Sequence, residues 1–175
     1  MSSQKIIDVL KELPLIKKKI TGKVELIQRY ASYGSHVGPA FKDEGEQRQE
    51  VLQLIQSASD LVDRYSKLKL ALSATNNATI VNIDGVSRTI SEWMTFRNET
   101  ATLNKSIYSA LTTRNAENDI RNTQVNLADG QQIGIVRCFD EKSRNTNLEF
   151  TSEIHSKIDA TLERVNATTD MIEVS

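Results

Sequence analysis

No second cysteine accompanies Cys138, so an intrachain disulfide is excluded. Two prolines and a 5% share of aromatics are too few for a β-sandwich built on turns and packed rings, and fit long helices better. No apolar run reaches the roughly 18 residues of a membrane-spanning helix. The first residues, Met1-Ser-Ser-Gln-Lys-Ile-Ile-Asp, lack the apolar core of a signal peptide, so the Asn-x-Ser/Thr matches at Asn77, Asn98, Asn104 and Asn166 read as chance. Nor is there an excess of charge. The 22 basic and 23 acidic side chains leave a formal charge of −1, without the basic face that duplex nucleic acid demands. The densest basic cluster, Lys17 to Lys19, reads as a solvated helix face.

Recognisable chemistry is also missing. His36 and His155 have no partners at metal-ligand spacing, no HExxH or CxxC occurs, and the seven glycines form no phosphate-binding loop. Ser35 is adjacent to His36 only in sequence, which is no catalytic geometry. The pairs Asp43-Glu44 and Asp140-Glu141 sit at expected helix starts, where the helix dipole already explains them. No catalytic, cofactor-binding or metal-ligating residue is singled out, no cofactor is expected, and the chain reads as a non-enzyme.

What the chain does have is a seven-residue apolar recurrence. Ile6, Leu13, Ile20 and Ile27 form one row, with Val9, Ile16 and Tyr30 beside it. Pro14 falls inside, where a kink or brief break is expected. Residues 34–45, with Gly34, Gly38 and Pro39, read as a connector before a helix starting near Glu46. Val51, Leu54, Ala58, Leu61, Tyr65, Leu68 and Leu72 carry the second seam, and Leu52, Ile55, Val62 and Leu70 widen it into a face able to touch more than one neighbour.

Near residues 78–88 the pattern turns β-branched around Asp84-Gly85, a hairpin signal. Thr89-Ile-Ser-Glu92 is a capping box. It opens a third helix whose seam runs through Trp93, Phe96, Thr100, Leu103, Ile107 and Ala110. From Asn115 the helical signal fades, and residues 123–139 suggest a second hairpin around Asp129-Gly130. The last helix starts between Asp140 and Asn147 and keeps a seam from Leu148 through Thr151, His155, Ile158, Leu162 and Val165 to Thr169 and Ile172. The expectation is a mainly α fold: one domain over residues 1–175, an antiparallel bundle of about four long helices with one or two short β-hairpin excursions.

The order of these elements resembles a family. Thr75-Asn-Asn-Ala-Thr79 precedes Gly85 and a Thr89-Ile helix start, and Asn166-Ala-Thr-Thr169 ends the last helix. This is similar to the septicolysin-like family of small helical bacterial proteins, with a phage-encoded relative in view. The resemblance implies a helical oligomer, with pore formation suggested by the family name and no catalytic residues to carry over. The chain departs from that pattern in its connector and in having few charges in the third helix.

These readings converge on a structural or assembly protein that packs as a homo-oligomer or as a subunit of a larger particle, such as a bacteriophage virion. A membrane-active protein is the alternative. The expected partners are copies of itself and other structural proteins, without nucleic acid and with no membrane contact expected. The expected location is the cytoplasm, or the virion after assembly. Trp93 and Phe96, one helical turn apart, read as core packing or, since aromatics are enriched at interfaces, as an anchor for a partner chain, which makes them candidate interface residues together with Tyr65, Leu68 and Leu72.

Overall fold

The structure, a computed structural model, describes residues 4–122 and 134–173. It is mainly α with one short antiparallel hairpin, in the order α1 (Ile6–Tyr30), α2 (Glu44–Ala78), β1 (Ile80–Ile83), β2 (Val86–Thr89), α3 (Ile90–Thr95), a π-helical turn (Phe96–Thr100), α4 (Ala101–Ser109), α5 (Arg114–Asn122) and α6 (Glu141–Thr168). The chain divides into two compact units, residues 1–81 with 162–175 and residues 82–161.

In the first unit α1 and α2 form an antiparallel helical hairpin. The first half of the expected α1 seam, Ile6, Val9, Leu13 and Ile16, is buried, while Ile20, Ile27 and Tyr30 are half-buried. The helix is continuous through Pro14. Pro14 lacks the N–H that would reach the Leu10 carbonyl, and both residues are exposed, where water can satisfy that oxygen. Asp43 caps α2 by accepting the Glu46 N–H at 2.8 Å. Leu54 and Leu72 of α2 face inward with half-buried Val51, Ala58, Leu61, Tyr65 and Leu68 between and beside them. An ion pair from Arg64 to Glu12 and the Lys17 ammonium 5.4 Å from the Tyr65 ring centroid tie the two helices on their rims.

The inner seam of α2 extends one heptad step beyond the sequence expectation at each end, and both added positions are polar. Gln47 is buried, donates to the Tyr30 carbonyl and accepts the Ala40 N–H, each at 2.7 Å, so it fastens the connector. Thr75 is buried at the other end. Its hydroxyl donates to the Ala71 carbonyl at 2.8 Å and accepts the Ile172 N–H at 2.9 Å. Burying such groups is tolerable because each is paired.

The expected helix to the C-terminus stops at Thr168, because the following residues pair with the start of α1 instead. The Ile6 N–H donates to the Thr169 carbonyl at 3.1 Å and the Met171 N–H to the Gln4 carbonyl at 2.8 Å. Lys5 adds a bond to the Thr168 carbonyl at 3.0 Å and an ion pair with Asp170.

The second unit begins with the turn of the hairpin. Asp84 and Gly85 both have positive φ, at 51° and 82°, as a two-residue hairpin turn that follows the right-handed strand twist requires. Val81 and Ile83 of β1 are buried while Ile80 and Asn82 are exposed, the alternation of a one-faced strand. Lys157 of α6 donates to Asp84 at 2.9 Å, and that carboxylate, with Glu153 next along α6, holds the Lys157 ammonium above the ordinary lysine range. The core here is Ile83, Ile90, Trp93, Phe96, Ala101, Thr151, Ile154 and Ile158. Asp140 starts α6 by accepting the Ser143 N–H at 2.8 Å.

Two expectations need correction. The loss of helix from Asn115 does not hold for α5, a short helix with Ala116 and Ile120 half-buried one turn apart and none of its residues buried. Of the expected second hairpin, residues 123–133 lie outside the described residues, and residues 134–140 carry no strand.

Candidate interaction surface

The capping box at Thr89 forms as expected. The Glu92 N–H donates to Thr89 Oγ1 at 3.2 Å, and the Thr89 N–H and hydroxyl donate to Glu92 Oε2 at 2.7 and 3.0 Å. These bonds, the backbone one first, hold the Glu92 carboxyl below the ordinary glutamate value, with a smaller push from the Arg88 charge and against a small opposing effect of burial. A shallow depression of about 440 Å³ opens beside it, lined by Ser87, Arg88, Ser91, Glu92, Thr95, Phe96 and Thr100. Its one carboxylate is occupied by the cap. Its one guanidinium, Arg88, lies 5.0 Å from the Trp93 ring centroid and 4.5 Å from that of Phe96, stacked rather than aimed outward. The rings of Trp93 and Phe96 meet edge to face at 5.8 Å.

Trp93, Phe96 and Leu72 are therefore interior residues, with Trp93 only 2% exposed, and Tyr65 and Leu68 are half-buried on the inner seam of α2. The candidate interface residues fall in two separate units, Tyr65, Leu68 and Leu72 in the first and Trp93 and Phe96 in the second.

A single extra residue explains why the expected third seam fails beyond Phe96. In the π turn the Ala101 N–H donates to the Phe96 carbonyl, five residues back, while Arg97 binds Asp159 of α6 through two nitrogens, at 2.6 and 3.1 Å. The insertion advances every later position by one, about 100° of rotation. The inward row becomes Phe96, Ala101, Asn104, Tyr108 and Leu111, of which Ala101 is buried and the last three are half-buried. Leu103 and Ile107, expected inside, are 65% and 62% exposed.

Among the described residues, the longest exposed apolar row lies on α2. Leu52, Ile55, Val62 and Leu70 are 60%, 45%, 46% and 62% exposed. At about 100° per residue they fall within an arc of about 80°, roughly 120° round the helix from the inner seam. They do not widen the inner stripe; they form a second face. Exposed Ser59 and Ser66 complete its row, Arg48 precedes it and pairs with Glu44 at 3.3 Å, and Lys69 flanks its far end. Near its start, Tyr30, Tyr33, Gln47 and Leu52 line an open depression of about 470 Å³.

Among the described residues, no group of three or more His, Cys, Asp or Glu side chains could hold a metal ion, and no helix is long and apolar enough to cross a membrane. No protein-family model matches the chain, and no curated protein matches it. Among solved structures the chain is similar to a functionally unknown conserved protein from Corynebacterium diphtheriae, with a TM-score of 0.57 at 14% identity over 98% of this chain and 100% of that one. At that identity the likeness speaks for a shared fold alone.

Proposed function

We propose that this chain is a non-enzymatic assembly protein that works by packing a helix face against other chains. The observation that carries the proposal is the outer face of α2, where four large aliphatic side chains at helical spacing stay 45–62% exposed. Single exposed aliphatics are ordinary, but four aligned along one helix face, with only small serines between them, support an interaction surface. Its companion is the occupation of polar groups in each unit: Glu92 by its cap, Arg88 by two rings, and Gln47 and Thr75 by backbone. A reaction centre needs such groups directed at a substrate.

Sedimentation velocity at rising micromolar concentration tests the proposal. The expected result is a defined species heavier than 19.6 kDa. A chain that stays monomeric throughout, and that co-purifies with no larger particle, overturns it.

A further inference from the structure

We infer that Met171 is an oxidant-sensitive modification site, and that conversion of its thioether to the sulfoxide releases residues 169–172 from the α1–α2 hairpin. The inference goes beyond the assembly reading and does not depend on it. Residues 169–172 form a short strap along residues 4–6 and the end of α2. The Ile6 N–H donates to the Thr169 carbonyl, the Met171 N–H to the Gln4 carbonyl at 2.8 Å, and the Ile172 N–H to Thr75 Oγ1 at 2.9 Å. Met171 sits where the last two of these bonds meet, and its half-buried side chain places Sδ 3.9 Å from Thr75 Oγ1. A methionine sealed in a core is shielded from oxidants, and one at a loose tip changes nothing when it reacts. Met171 is neither: its sulfur is partly open to solvent and lies against the hydroxyl that fastens the strap to α2.

Hydrogen peroxide supplies the step. The Met171 sulfur attacks one peroxide oxygen, an S–O bond forms as the O–O bond breaks, and the departing hydroxide takes the proton left on the transferred oxygen and leaves as water. Sulfur gives up two electrons, and a flexible apolar thioether becomes a polar, chiral sulfoxide. The new oxygen is a hydrogen-bond acceptor, and the donors that the strap and α2 bring to this spot are already committed. The Thr75 hydroxyl gives its one proton to the Ala71 carbonyl at 2.8 Å, in an interior where Thr75 is 0% exposed. The Ile172 N–H is taken by that same hydroxyl oxygen, and the Ile6 N–H by the Thr169 carbonyl. Water on the open side can solvate the sulfoxide fully. The side chain therefore swings outward, drawing its own N–H off the Gln4 carbonyl and the next N–H off Thr75.

Treatment of the whole folded chain with hydrogen peroxide tests this. Mass spectrometry follows oxidation at Met1, Met94 and Met171 separately, and amide exchange follows the strap. Met171 should convert while circular dichroism stays unchanged, and exchange at the Met171 and Ile172 amides should then quicken at least about ten-fold. In Met171→Leu, which keeps size and apolarity, those amides should stay slow in peroxide although Met94, 42% exposed, still reacts. Reversal supplies a second arm that needs no variant: methionine sulfoxide reductases acting on the oxidised chain should return both amides to their starting rates. Reaction of Met171 only after denaturant has unfolded the chain overturns the inference. So does exchange that stays the same once Met171 is oxidised, or that slows, as it would if the sulfoxide captured the Thr75 proton and tightened the strap. Quickening that appears equally in Met171→Leu, or that persists after reduction, is just as fatal.

Discussion

Thr89 and Glu92 decide where α3 begins, and they do so with three hydrogen bonds made within four residues. Thr89→Ala should cost about 1 kcal/mol in urea unfolding, the usual loss for such a cap. The lowered Glu92 pKa adds a pH dependence with a definite sign. The stabilisation is fully present above the ordinary glutamate value and is lost as pH falls through the depressed one. Urea titrations from neutral pH into the acid range should therefore show a shallower fall for Glu92→Gln than for the unmodified chain. This site is legible in the sequence because its partners are three residues apart. Thr75 is the opposite case. Its hydroxyl accepts an N–H from Ile172, 97 residues further on, and no local pattern announces that bond. Thr75→Val keeps the shape and leaves that N–H without its partner, which should lower stability by about 1 kcal/mol. Amide exchange at Ile172 should quicken in Thr75→Val and stay slow in Thr75→Ser.

At the scale of elements, the seven-residue recurrence marks α1, α2 and the inward rows faithfully where the helix keeps its regular turn. It misleads where the helix does not. Trp93 and Phe96 follow the expected seam, then the π turn shifts the phase and exchanges Leu103 and Ile107 for Asn104 and Tyr108. The cause lies in partners rather than in local sequence: Arg97 reaches Asp159 across 62 positions of chain. The same substitution at three sites tests the phase. Ala101→Gln should destabilise by roughly 2 kcal/mol or more, since a long polar side chain would be forced into a filled interior. Leu103→Gln and Ile107→Gln should each stay within about 0.5 kcal/mol. An unshifted helix would reverse that order in chemical denaturation. The outer face of α2 was visible as residues, and its separation from the inner seam was not. A broad stripe and two narrow ones have the same composition, and only the position of α1 tells them apart.

At the scale of the whole molecule, the mainly helical class follows from composition and period, whereas the pairing of residues 4–6 with 169–171 does not. Backbone bonds between distant segments leave no side-chain signature. An assembling chain has a further signature at this scale, since anything that binds the folded form alone raises its apparent stability by mass action. The melting temperature should climb with protein concentration over two decades, and Val62→Glu should remove most of that climb. A melting temperature independent of concentration in the unmodified chain would count against assembly.

The clasp at Lys5 and Asp170 also gives the chain a mechanical character. Gln4 to Ile6 and Thr169 to Met171 meet through two backbone bonds, one lysine–carbonyl bond and one ion pair, so everything between them is strung as a closed ring. Opening those links releases the two end segments from each other and raises their entropy, while the Thr75–Ile172 bond still holds the C-terminal segment to α2. A stretching force applied at the two ends would act on this latch before it reached any helix. The first yield in a pulling trace should be small, abrupt and weakened by Lys5→Ala.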